Sequence, residues 1–148
     1  MTTRASIRSA AVAALAGATA ADARVYASRR RPIAETDDVL PCLCVYMDAA
    51  RLRLTSLAQP NYERSDTLVV VGYVSGRGLT DDELDDAADA LADEVRDVLL
   101  TGALTADGLR VTEASDEFDV DAEANVRLAS VVQRFTIEYA EMYEPAAA

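Results

Sequence analysis

Apolar residues recur most regularly between Leu79 and Leu100, in the stretch LTDDELDDAADALADEVRDVLL. Leu84, Ala87, Ala88, Leu91, Val95, Val98 and Leu99 fall at helical spacing and make one apolar stripe. Thr80 and Glu83 stand at the reciprocal positions of a capping box, and Leu79 and Leu84 at those of a hydrophobic staple. Asp81 and Asp82 in the first turn suit the positive end of the helix dipole. Gly102 supplies a stop just beyond the last apolar residue. The spacing predicts a helix here, and the rest of the chain must cover its stripe.

A weaker helical pattern opens the chain. Over Ala5–Leu15, Ile7, Ala11, Ala14, Leu15 and Ala18 share a face beside Arg4 and Arg8, with an end near Gly17. The start resembles a signal peptide only superficially, because its apolar residues are mostly alanine and no concentrated hydrophobic region follows. Arg24–Ser28 alternates as a short strand, and Arg29, Arg30 and Arg31 then run into Pro32. Val39–Met47 (VLPCLCVYM) reads as a strand apolar on both faces, with Pro41 near its start. Residues 48–66 are polar and suit a long loop or a protruding hairpin, with Leu52, Leu54 and Leu57 as its strand candidates. Thr67–Val74 (TLVVVGYV) is a second core strand.

After the long helix, Leu109–Thr112 is a short strand candidate and Glu113–Glu123 (EASDEFDVDAE) an acidic, flexible loop. Val126–Tyr139 alternates again, with a change of apolar face near Ser130 that suggests a bulge. Residues beyond Tyr143 read as a disordered tail. The whole predicts one α+β domain spanning 1–148, a mixed or antiparallel sheet with two helices packed on one face.

Charge alters this picture. The net charge is −12, yet residues 1–64 hold nine arginines against six acids (+3) and residues 65–148 hold five against twenty (−15). General nucleic-acid binding is disfavoured, while attraction between the halves of neighbouring copies is favoured. All basic residues are arginine. No apolar run approaches the roughly 20 residues of a membrane span.

Candidate chemistry is sparse. The chain has no histidine, which removes the Ser-His-Asp triad, an imidazole base and His-metal sites. Cys42 and Cys44, two apart on a strand, point the same way, a poor arrangement for a disulfide, and two thiolates alone make no zinc site. Gly76-Arg77-Gly78 is too short for a phosphate loop and precedes an acidic helix start. Asp116, Asp119 and Asp121 crowd together without the glycine and ligand spacing of a calcium loop. Asp85, Asp86, Asp89 and Asp93 lie on the polar side of the long helix and read as surface. No cofactor or metal is called for, and an enzyme is not the expectation.

The order of these segments carries a resemblance. An alanine-rich helix leads to RVYASRRRP, then VLPCLCVYMD, a polar stretch, TLVVVGYVSG, the acidic helix DDELDDAADALADEV and a strand ending FTIEYAEMY. This series resembles the tail terminator proteins of long-tailed phages, the family of the lambda minor tail protein U, from about Arg4 to Tyr143. The resemblance implies a non-enzymatic virion part of the tail neck, assembled in the host cytoplasm. Such proteins form a homohexameric ring on the tail tube, stop its polymerisation and present a joining surface to the head-completion protein. DNA passes through the ring without specific binding, and no membrane is involved. Head-to-tail rings need two different patches on each copy. The candidates are Arg29, Arg30, Arg31, Arg51 and Arg53 on one side, and the acidic surface with Asp85, Asp86, Asp89 and Asp93 on the other. Other expectations are a different neck or head-completion adaptor, and a cytosolic binding or enzymatic domain using Cys42 or the acidic cluster.

Overall fold

A computed structural model of the chain describes residues 3–28, 40–56, 61–102, 104, 109–121 and 127–142. The long helix, α2 (Asp81–Thr101), forms where its spacing places it, and Thr80 and Glu83 close the capping box in both directions. Leu84, Ala88, Leu91, Ala92, Val95 and Leu99 are its buried side. Leu79 packs into the same small cluster as Leu84, as a staple requires. The first helix, α1 (Arg4–Leu15), is capped by Thr3 with Ser6 and buries Ile7, Ala11 and Leu15. It stops before Gly17, whose φ of +75° is a left-handed turn that glycine adopts without steric cost.

Five strands build one sheet: β1 (Val25–Ala27), β2 (Cys42–Ser56), β3 (Asn61–Ser75), β4 (Arg110–Asp121) and β5 (Leu128–Met142). Their spatial order is β1-β2-β3-β5-β4, with β1 parallel to β2 and every other neighbour antiparallel. The fold is therefore α+β with one mixed sheet and two helices on one face. Leu43, Val45, Met47, Leu68, Val70, Phe135 and Ile137 point to that face and join the α1 and α2 stripes in the main core. Gly72 shares the face, and a Cβ there would lie 2.9 Å from Leu91 Cδ2, so the missing side chain lets α2 approach. The opposite face holds a smaller cluster of Cys44, Val69 and Val71 with Tyr26, Tyr46, Tyr73 and Val132 around it.

Residues 48–56 and 61–66 are the paired strands of a hairpin and not a loop, because β2 and β3 stay paired from Cys42↔Tyr73 out to Ser56↔Asn61. A bulge sits inside it, where β2 advances from Met47 to Ala50 while β3 steps from Leu68 to Asp66. The extra residue changes which side chains face the helices. Leu52 and Leu54 end up level with Arg64 and Tyr62 on the helix side, and Arg51 and Arg53 turn to the other face.

Two expectations for the second half fail. Residues 113–121 are not a flexible acidic loop, since they continue the strand that begins at Arg110 and pair with β5 along its length. Glu117-Phe118-Asp119-Val120-Asp121 has the period of two that a strand needs, and acids on an exposed edge cost little. The bulge expected near Ser130 lies instead in β4, between Glu113 and Ser115. β5 itself runs in unbroken register with β3 from Leu128 to Met142, and Ala129, Val131, Gln133, Phe135 and Ile137 share one buried face. Arg29–Arg31, Leu57, Val126 and residues 143–148 lie outside the described residues.

Candidate functional site

The hairpin continues past the helices, so its outer half is sheet without a helical cover. Arg51, Ser65, Glu138 and Arg110 line up across β2, β3, β5 and β4 as one cross-strand row, and Arg53, Glu63 and Ala140 form the next. These residues line an open groove of about 550 Å³ on the helix-free face. Within it Arg53 pairs with Glu63 at 3.9 Å and Arg110 with Glu138 at 3.5 Å. Both pairs are exposed, and such pairs contribute about 0–1 kcal/mol each, so the arginines stay open to other partners. Arg51 and Arg53 of the expected basic patch are thereby brought together.

A buried carboxylate anchors the base of this hairpin. Asp66 is fully buried, and its Oδ1 accepts from Arg64 Nε at 3.0 Å and from Arg4 Nη1 at 3.5 Å. Tyr139 donates to its Oδ2 at 2.7 Å. Arg4 also donates to the Asp48 carbonyl, beside the β2 bulge. The start of α1 is thus tied to three strands where the sheet leaves the helices.

The acidic face of α2 divides into two environments. Asp85 and Asp86 are exposed, and Asp85 and Asp89 border a hollow of about 260 Å³ with Phe118, Val120 and Ala129. Asp93 is exposed, as expected of a surface position, and also accepts from Arg96 at 2.6 Å. Arg96 also binds Glu113 through Nε and Nη2, and reaches Asp116 Oδ2 at 2.8 Å. One guanidinium therefore holds three acids and clamps α2 onto β4. The β4 bulge between Glu113 and Ser115 turns Asp116 to the same side as Glu113. Neighbouring Gln133, buried on β5, donates to the Ala92 carbonyl at 2.9 Å.

The pKa values of Glu113 and Asp116 are displaced in opposite directions. Hydrogen bonds from Arg96 hold Glu113 below the usual carboxylate range. Burial, and then Glu113 beside it, push Asp116 up to about 6. Asp116 Oδ1 is buried without a hydrogen-bond partner among the described residues, and a proton there makes it a donor towards Glu113. The folded state holds that proton more tightly than the unfolded chain, so this group's contribution falls as pH rises from about 4 to about 6. Glu113 acts oppositely, and its contribution is lost as the medium becomes acidic. Asp116→Asn keeps an acceptor for Arg96 and removes the like charge. It should stabilise the fold by about 1 kcal/mol at pH 7.5, a value kept modest by solvent screening, with no gain at pH 4. Thermal unfolding of both proteins at the two pH values checks this; an equal Tm difference at both would refute it.

Cys42 and Cys44 are buried and not joined in a disulfide, on the strand positions expected for them. Among the described residues, no three His, Cys, Asp or Glu side chains are grouped as a metal ion would require. No helix among them is long and apolar enough to cross a membrane. Sequence reading missed two separate sets, Asp66 with Arg4 and Tyr139 and Arg96 with Glu113 and Asp116, since nothing local in the chain marks residues joined over such distances. No protein-family model matches the chain, and no curated protein matches it.

Proposed function

We propose that the protein is a non-enzymatic assembly component whose copies join head-to-tail into a ring that caps a phage-type tail tube and offers a joining surface to a head-completion protein. The observation that carries this reading is the separation of charge between the outer hairpin and α2. Arg51 and Arg53 stand on the uncovered end of the hairpin, while Asp85, Asp86 and Asp89 stand on α2, which packs over β3, β5 and β4. Two unlike patches on each copy are what a heterologous ring needs. The tail-tube role rests on the resemblance in element order, and the acidic balance of −12 suits a passage through which DNA slides without adhering.

The test is electron microscopy of tail tubes assembled with and without the protein. Tubes of unregulated length in its absence, and a ring at the tube end in its presence, are expected. Binding to the portal side with no effect on tube length would replace this reading with the adaptor one.

A further inference from the structure

Among the described residues, the large apolar side chains that remain exposed are Leu52 (57%), Leu54 (45%), Phe118 (51%) and Val120 (37%). All four lie on the two open edges of the sheet. β1 covers only Leu43–Val45 of β2, and β2 then runs on to Ser56 with no described strand beyond it. β4 is the outermost strand at the other end of the order, twelve residues long. Long exposed apolar edges are templates for another strand and are normally blunted or covered.

The two edges match residue by residue. β2 presents Arg51-Leu52-Arg53-Leu54, with the leucines on the helix side and the arginines on the other. β4 presents Phe118-Asp119-Val120-Asp121, with Phe118 and Val120 level with Val131 and Ala129 on the helix side and the aspartates opposite. We infer that the outer half of β2 in one copy adds as a strand to β4 of the next, deepening the self-association part of the ring reading on which it rests. Copies that keep the same strand direction bring β2 and β4 together antiparallel, since β2 and β5 run one way and β3 and β4 the other.

An antiparallel register of Arg51 with Asp121, Leu52 with Val120, Arg53 with Asp119 and Leu54 with Phe118 satisfies every position. Directly opposed residues share a face, so the apolar pairs fall on the helix side and the ion pairs on the other. Leu52 is level with Arg64 on β3 and Val120 with Val74, ten positions away, so neighbours are offset along the strands by about 34 Å. The four strands β2, β3, β5 and β4 span about 19 Å from one joint to the next, so a closed ring of this kind has strands inclined about 60° to its axis. The occupant of each edge is therefore a second copy of this chain.

The experiment is a charge exchange read by sedimentation, with circular dichroism to verify folding. Arg53→Asp alone and Asp119→Arg alone should each weaken association by about tenfold or more, because each sets like charges opposite one another. Mixing the two variants should restore it, since every contact between unlike copies is again Arg against Asp. As an independent measurement, Leu54→Cys and Phe118→Cys proteins should form a mixed disulfide when oxidised together, located by mass spectrometry, and little when oxidised alone. Association unchanged by either charge variant overturns the inference, including the case in which those variants lose only their binding to tube ends, which would assign the edges to the tube protein. Wild-type protein that stays monomeric at about 1 mM yet caps tubes overturns it as well and leaves the tail role standing. Association that obeys the charge exchange in a protein that never caps tubes has the converse meaning.

Discussion

Replacing Asp66 by alanine is expected to lower the unfolding free energy by about 3–5 kcal/mol, a large part of the roughly 5–15 kcal/mol typical of a domain. The carboxylate is fully buried and receives bonds from Arg64, Arg4 and Tyr139. Arg64 has a side chain only 18% exposed, so its charge would remain beside a vacancy with limited access to water. Breaking a buried pair by removing one partner costs more than the pair itself contributes, for that reason. Asp66→Asn retains an acceptor and most of the shape, and should cost about half as much. Urea unfolding of the three proteins measures the series. Equal stability of wild type and Asp66→Ala would mean that the cluster holds no net energy.

The second large effect concerns the contact between α2 and the sheet. Leu91→Ala empties a position that is 1% exposed and should cost about 2–5 kcal/mol. Gly72→Ala places a Cβ 2.9 Å from Leu91 Cδ2 and 3.1 Å from Val131 Cγ1, and should cost about 1–3 kcal/mol through overpacking. The double variant should be less damaged than the two costs added together, because the new methyl occupies space that Leu91 has left. A coupling of about 1 kcal/mol or more in that direction is expected from a double-mutant cycle. Strict additivity would show that Gly72 serves the strand backbone and not the approach of the helix.

Where the chain carries its instructions locally, the sequence is a sufficient guide. Thr80, Glu83, Leu79 and Leu84 lie within one turn of each other, and their cap and staple form as the spacing demands. The strand at Thr67–Val74 is apolar on both sides, and it lies in the middle strand of the five, with a neighbour on each edge and a cluster on each face. β4 was obscured because its composition is that of a solvated acidic segment. Its alternation of Phe118 and Val120 with acids is short, and its inward acids are made tolerable by Arg96, a residue 17 positions from Glu113. The same limit hid Asp66, whose partners stand 62 and 73 positions away. The β2 bulge is a further case: one added residue decides which of Arg51 and Leu52 faces the helices, and no signal in the chain marks it. Of the candidate patches, the arginines of the hairpin and the aspartates of α2 were visible as charge. Their relation to the open edges required the strand order.

That order also governs when the fold can form. β5 lies between β3 and β4, although it is made after both. During synthesis β4 has no strand to pair with, and the inner edge of β3 stays open, until β5 has emerged. Pairing β3 with β5 then closes a loop containing all of α2 and β4, a non-local step of the kind that slows folding. The hairpin of β2 and β3 can form early, but the sheet that seats α2 cannot. Folding is therefore decided late, when a fifteen-residue strand slots into the centre of what has waited for it. Until that moment the β4 edge has no ordered form to offer another copy, which separates the completion of each chain from its joining to others.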